Sequence, residues 1–474
     1  MYFFDKNESF YERTMLIVDS QEKRSYTYRE IYTLQEQILS TAPSGSLLFL
    51  LCRNHPDCIA VYLGCLRMRL VPLLLDEQVH PDDLSRLESS YGPNLIFLPI
   101  ERTVEFPEAI LLWQDDGFAL MQLRAEGPSM HPDLALLLTT SGSTGSPKLV
   151  RLSRRNLQSN AASIASYLEI SQSDRPVTTL PMEYTYGLSV LNSHLLAGAA
   201  ILATERSFVE REFWDFFRRE NGSSLAGVPY SYEILRRLHF SSMELPSLRV
   251  MTQAGGRLSP SLQEYFGKLA EERNLRFYIM YGQTEATARM SYLPWSMCLA
   301  KKGSIGISIP GGRFELWDEE NQLIPEAGRE GQLVYWGENV SLGYAETALD
   351  LTRGDEHQGC LLTGDLARRD TDGFYYITGR LKRFLKIAGK RLSLDNLEQL
   401  LARKWPLWEF ACAGTDEAVR IYVAKTEKSQ ETADAISWFL SDHTNLSTAC
   451  FQVSFIASIP RTAAGKIKYG SLPQ

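Results

Sequence analysis

Short, wholly apolar runs alternate with helical stretches through the first half of the chain, and this alternation restricts the fold more than any other feature. Residues 46–52 (Ser-Leu-Leu-Phe-Leu-Leu-Cys) read as a buried strand, Pro56 to Met68 as a helix, residues 71–75 as a strand, and residues 81–90 as the next helix. Strands separated by helices of this length require crossover connections, which places them parallel in one sheet. A second series runs from Pro176 to Tyr281, with strands expected at 177–180, 200–203, 249–252 and 277–280. From Gly303 to Tyr376 glycines become frequent, and short β-type runs (314–316, 332–336, 373–378) sit between turn signals, which reads as an all-β portion. A basic stretch, 380–391, follows and leads into a small α+β tail.

The chain is 474 residues long, which sets an expectation of about three domains or lobes. With 44% apolar and 22% charged residues it can bury more than one core, so wholesale disorder is excluded. The balance of 49 basic against 57 acidic residues gives a net charge of −8, which argues against a nucleic-acid partner. The first residues lack the basic region and apolar core of a secretory signal, and no apolar run reaches the roughly 18 residues of a membrane span. Seven cysteines (52, 58, 65, 298, 360, 412, 450) form no C-x-x-C pair and read as buried thiols, so a cytoplasmic location is expected. From Lys382 onward there are 13 basic against nine acidic residues, whereas the preceding part has 36 against 48. A basic small lobe beside an acidic large one suits a lid that closes over an anion.

Four segments carry chemistry. A strand-like run enters Thr139 to Ser146, eight small or hydroxylated residues, and Pro147 and Lys148 follow. Backbone N–H groups of such a loop can turn inward on a phosphate, with hydroxyls and a lysine charge added. A Walker-type loop needs glycine before the lysine, so Pro147 excludes a P-loop kinase or NTPase. Tyr281-Gly282-Gln283-Thr284-Glu285 follows a strand end, where α/β sheets bind ligands, and could stack a base, touch phosphate and hold Mg²⁺. Asp365, beside Gly364, can accept the hydroxyls of a ribose, and Arg380 can bind its oxygens or a phosphate. The segment 460–468 presents Lys466 on small residues. Taken singly, these segments also fit a linker, a solvated carboxylate, a Gly-Asp turn and a surface lysine.

In this order they resemble the adenylate-forming superfamily: acyl- and aryl-CoA synthetases, peptide-synthetase adenylation domains and firefly-type luciferases. The similarity spans nearly the whole chain, from Tyr26-Thr-Tyr-Arg-Glu-Ile31 through His55-Pro-Asp-Cys-Ile-Ala-Val-Tyr-Leu-Gly-Cys-Leu-Arg67 to the lysine loop. The resemblance implies an α/β fold: a large N-terminal part of two α/β subdomains plus a distorted β-barrel (1–381), and a small mobile α+β C-terminal domain (382–474). It places Thr140, Ser141, Gly142, Ser143, Thr144, Gly145 and Lys148 on the β- and γ-phosphates of ATP. Gly255 and Gly256 become the adenine wall, with Tyr281 against the base and Gly282 and Gln283 in the same nucleotide segment. Thr284 would meet the α-phosphate and Glu285 the Mg²⁺, with Asp365 and Arg380 at the ribose. Lys382 falls at the hinge, and Lys466 would bridge the substrate carboxylate and the α-phosphate.

The implied chemistry has two halves. A carboxylate attacks the α-phosphorus of Mg·ATP, pyrophosphate leaves, and the acyl-adenylate then passes its acyl group to a thiol. That thiol is CoA or the phosphopantetheine arm of an acyl carrier protein. Rotation at Lys382 would exchange Lys466 for the 386–389 face, the basic run there reading as a moving, solvated surface. The substrate segment is Tyr184, Thr185, Tyr186 and Gly187. Thr185 stands where amino-acid-activating relatives have an Asp, so a free α-amino acid would leave its ammonium unpaired. Tyr184 replaces a frequent His of acyl-CoA synthetases. A fatty or aryl carboxylic acid is therefore expected. The alternatives are a ligase that loads only a carrier protein, and a non-catalytic nucleotide- or acyl-binding relative.

Overall fold

The computed structural model describes residues 2–19, 25–139, 148–387, 390–415, 418–425, 427, 429–444, 446–461 and 467–473. The chain divides into two compact units, Met1–Arg313 with Tyr335–Leu361, and Phe314–Val334 with Leu362–Gln474.

In the first unit an eight-stranded sheet runs in the order Gly343–Ala345, Leu149–Ser153, Leu134–Thr139, Val71–Asp76, Leu47–Cys52, Leu95–Pro99, Phe118–Gln122, Ile110–Gln114. Its centre is parallel, as the alternation requires: Leu47–Cys52 pairs in parallel with both neighbours, and Val71–Asp76 with Leu134–Thr139. The outer strands are antiparallel. All six residues of Leu47–Cys52 are buried because both faces are covered. Leu48, Leu50 and Cys52 enter one core while Leu47, Phe49 and Leu51 enter another, the period of two expected of a strand. The helix Pro56–Met68 starts on a His55 cap with proline in its first turn and stops at Arg69, which takes a left-handed conformation (φ 63°).

A second sheet orders Ser224–Gly227, Val250–Gln253, Arg276–Tyr281, Ser291–Leu293 and Ile307–Ser308, the first three parallel. The strand expected at 177–180 does not form; only isolated bridges join Pro176 to Ser224 and Val177 to Leu202. Pro176 and Pro181 bracket the segment and lack N–H donors. Within it Thr179 N turns back on Val177 O, while the Thr178 and Thr179 hydroxyls take Thr204 O and Ala226 O.

The second unit holds most of a four-stranded sheet made of Arg313–Trp317, Glu330–Trp336, Cys360–Arg369 and Tyr375–Arg380. After it come the hairpin Phe384–Ile387/Lys390–Ser393 and a three-stranded sheet, Phe410–Thr415, Ala418–Ala424 and Phe451–Ile456. The helices Leu394–Lys404 and Gln430–Thr444 pack on that sheet through Leu397, Leu401, Ile436 and Leu440. The basic run is not wholly the solvated face that its charge pattern suggests. Arg383 turns inward, reaching Asp395, Glu398 (2.8 Å), the carbonyl of Cys412 (2.8 Å) and the ring of Tyr469 (3.8 Å to its centroid). Its partners are supplied by later elements, which charge pattern alone cannot show.

Five of the seven free cysteines are buried, and Cys360 and Cys450 are partly exposed. Among the described residues no helix is long and apolar enough to cross a membrane.

Candidate active site

The strand Leu149–Ser153 begins one residue after Lys148 and pairs antiparallel with Gly343–Ala345, setting Tyr344 opposite Val150. That register brings the Tyr344 ring beneath the lysine, with Nζ 3.6 Å from the ring centroid. The Tyr344 hydroxyl donates to Glu285 Oε1 at 2.8 Å. Burial and the adjacent carboxylate push its phenol well above the usual range, so it stays protonated as the donor. His357 meets Tyr344 edge-on (centroids 5.7 Å apart, 89° between planes), and its Nδ1 lies 3.0 Å from Ser341 Oγ and 3.1 Å from Ser341 O. Burial depresses that imidazole, which favours its neutral form. A cation, a phenol and a carboxylate from three remote segments thus form one chain.

The segment carrying Glu285 is shaped by close backbone approach. A Cβ on Gly282 would fall 1.6 Å from Ala288 O, so glycine is required there. After the single turn Thr284–Ala286, Thr287 (φ 56°) and Ala288 (φ 107°) adopt left-handed backbone, a strained arrangement that needs external support. Asn339 supplies it: its amide donates to Ala286 O (2.8 Å) and Arg289 O (2.9 Å), and its carbonyl oxygens accept from Thr287 Oγ1 (2.6 Å, main chain) and Tyr335 Oη (2.8 Å, side chain). Asn160 adds a second donor to Arg289 O at 2.9 Å. Ser341 N reaches Glu285 O at 2.8 Å, and the Gln283 amide donates to Tyr281 Oη at 3.3 Å.

The expected substrate segment and the glycine pair meet beside this turn. Gly255 (φ 81°) follows the strand Val250–Gln253, and a Cβ there would lie 2.4 Å from Tyr184 Oη. The Gln253 amide holds the turn by donating to Ala254 O (3.1 Å) and Gly256 O (2.9 Å). The helix Thr185–Leu196 carries Thr185, Tyr186 and Gly187; Tyr186 Oη lies 2.9 Å from both Thr252 O and Thr252 Oγ1. A Cβ on Gly187 would sit 2.2 Å from Pro181 O. Residues 184–187, 253–256 and 281–285 therefore converge at the carboxyl ends of two parallel strands, where α/β sheets bind ligands.

In the second unit Asp365 and Arg380 are cross-strand partners, with Arg380 Nε 3.0 Å from Asp365 Oδ1. The aspartate side chain is 3% exposed and the arginine 62%, so the carboxylate is fixed while the guanidinium extends to solvent. Asp365 N donates to Thr363 Oγ1 (3.1 Å), which itself donates to Leu333 O (2.7 Å). Lys382 lies in the single helical turn Leu381–Arg383. Thr140, Ser141, Gly142, Ser143, Thr144, Gly145 and Lys466 lie outside the described residues.

Tyr344, Asn339 and Gln253 escaped the sequence reading. Tyr344 and Asn339 act through contacts distant in sequence, and Gln253, which opens the segment of the Gly255–Gly256 pair, acts through its own turn.

A family model described as AMP-binding enzyme matches residues 3–345. The chain belongs to the AMP-binding enzyme family. It is 30% identical to an oxalate–CoA ligase of Arabidopsis thaliana, over 97% of this chain and 95% of the relative. It is 26% identical to 4-coumarate–CoA ligase 3 of Oryza sativa subsp. japonica, over 95% and 87%. In structure it matches o-succinylbenzoate coenzyme A synthetase from Bacillus subtilis in complex with ATP and magnesium ion, with a TM-score of 0.77 at 20% identity, over 97% and 96% of the two chains. This AMP-binding enzyme is an AMP-forming acid–thiol ligase with the expected α/β architecture. Among its described residues no cluster of three or more His, Cys, Asp or Glu could hold a metal. Glu285, with Oε1 taken by Tyr344, has one further carboxylate oxygen to offer a cation that arrives on ATP.

Proposed function

We propose that this enzyme activates a small carboxylic acid at the α-phosphorus of Mg·ATP and transfers the acyl group to coenzyme A. The observation that carries this reading is the chain Lys148–Tyr344–Glu285, which couples the lysine leaving the glycine/serine loop to the carboxylate of the 281–285 motif. A cation over the face of one phenol and a Mg²⁺-competent carboxylate at its hydroxyl suit a polyphosphate bound alongside them. Thr284 and Glu285 then act at the α-phosphate and its Mg²⁺, Gly255, Gly256 and Tyr281 hold the base, and Asp365 and Arg380 take the ribose. The Thr140–Gly145 loop covers the terminal phosphates.

Both reactants of the first half-reaction are anions, so the chemistry needs charge neutralisation and positioning more than a base. Lys466 supplies the cation between the attacking carboxylate and the α-phosphate. One carboxylate oxygen bonds to phosphorus as the bond to pyrophosphate breaks. Turning about Lys382 withdraws Lys466, and the thiol then attacks the acyl carbon while AMP leaves. That the named relatives are CoA ligases supports CoA over a carrier-protein arm as acceptor.

Acid-dependent exchange of labelled pyrophosphate into ATP, followed by thioester formation on adding CoA, tests the assignment. Lys466→Ala is expected to lower exchange about 10²–10³-fold, comparable to losing an oxyanion donor. Absence of exchange across a broad acid panel would overturn the reading.

A further inference from the structure

Glu285, Tyr344, His357 and Ser341 form a closed circuit of contacts. The Glu285 carboxylate accepts from Tyr344 Oη (2.8 Å), and its main-chain carbonyl accepts from Ser341 N (2.8 Å). His357 joins those two donors to each other. Its Nδ1 lies 3.0 Å from Ser341 Oγ and 3.1 Å from Ser341 O, and its imidazole meets the Tyr344 ring edge-on. A carbonyl oxygen only accepts, so Nδ1 carries the ring proton and the imidazole is pinned to Ser341 in one orientation. Burial favours its neutral form, so it braces Tyr344 without repelling the Lys148 ammonium on that ring.

The brace is set by the strand that follows Lys148. Arg151, whose side chain is fully buried, donates to Tyr344 O (3.0 Å) and Leu342 O (3.2 Å) on one side. On the other it donates to Arg353 O and Gly354 O (3.3 Å) and pairs with Glu356. Glu356 N returns to Leu342 O at 2.8 Å. One guanidinium therefore ties the Tyr344 backbone to the segment that presents His357, and buried hydrogen bonds fix the approach of the two rings. Gly343 leaves the room for this: at φ 130°, a Cβ there would fall 2.6 Å from Glu356 Oε2 and 2.9 Å from the Arg151 guanidinium. Tyr344 must meet Lys148 on its face and Glu285 at its hydroxyl at the same time. A tilt of the ring would displace both, because the hydroxyl is the part of the phenol farthest from its backbone. The His357 contact opposes such a tilt.

We propose that His357 is a positioning residue for adenylation: anchored on Ser341, it holds the Tyr344 ring so that the phenol hydroxyl keeps the Glu285 carboxylate in place. This rests on the ligase reading above and adds a residue to that site.

Pyrophosphate exchange at saturating acid, with Mg·ATP varied, is the test. H357A is expected to lower kcat about tenfold, the scale of one displaced hydrogen bond to a charged group, with a smaller change in KM for ATP. H357N keeps a donor for Ser341 but removes the ring, so it is expected to lose as much and carries the test should H357A not fold. H357F keeps an aromatic ring against Tyr344 and is expected to recover most of kcat. In a Y344F background, where no hydroxyl remains to be aimed, H357N is expected to cost no more than about twofold further. A histidine that acts only on the fold would slow both backgrounds by the same factor. That result, or a kcat for H357N within about twofold of the wild type, would overturn the inference and leave the ligase reading standing. No exchange by the wild type with any of a broad acid panel would instead overturn the ligase reading and the inference with it.

Discussion

Tyr344 does two jobs with separate parts of one side chain: its ring face receives Lys148, and its hydroxyl fixes Glu285. Substitution can therefore separate them. Y344F keeps the ring and removes the donor, so Glu285 is free to rotate away from its hydrogen-bonded position. We expect roughly a tenfold fall in kcat with KM for ATP little changed, the scale of one lost hydrogen bond to a charged group. Y344L removes the ring as well and is expected to raise KM for ATP, because Lys148 loses its seat. Steady-state kinetics of both variants checks this; a kcat unchanged in Y344F would show that the hydroxyl is not needed. Nothing in the primary sequence marks Tyr344, since its partners lie 59 and 196 positions earlier and meet it only through strand pairing.

At the scale of elements, the segment from Gly282 to Arg289 shows how a local motif depends on a distant one. The Tyr281–Glu285 stretch was legible because its residue types announce nucleotide chemistry. The left-handed Thr287 and Ala288 that follow were not, since neither is a residue that favours positive φ. Their conformation is imposed by Asn339, whose amide bridges two carbonyls of the turn. Gly282 is the tight point. G282A would drive a methyl group into the Ala288 carbonyl, so the turn must open. We expect loss of exchange activity by at least 100-fold and destabilisation by about 2–3 kcal/mol, the range of other core and backbone clashes. Thermal denaturation alongside exchange would show it, and a fully active, equally stable G282A would contradict the geometry. The segment 177–180 teaches the converse. Its apolar and threonine content suggests a strand, but the ladder stops after the N–H groups of Val177 and Thr178, because Thr179 N turns back on Val177 O and Pro181 offers no donor.

For the whole molecule, the division into two units gives each its own source of stability. In the second, Arg383 gathers Asp395 and Glu398 of one helix, Cys412 O and Tyr469 from three places along the chain. R383M leaves two carboxylates buried without a cation, so we expect a loss of about 3 kcal/mol. It should appear in calorimetry as an earlier transition of one unit only; a single unshifted transition would refute it. The alternation of apolar runs and helices was enough to determine the parallel centre of the large sheet, because a strand buried on both faces has no other neighbours to choose. Four short segments pointed to the class of chemistry only through their order, in which they resemble the adenylate-forming superfamily; singly, each also fits a linker, a turn or a solvated surface group. Tertiary structure alone decided which side chains stand behind them. The support from Tyr344 and Asn339 and the inward turn of Arg383 all depend on the proximity of residues far apart in sequence, which no local pattern encodes.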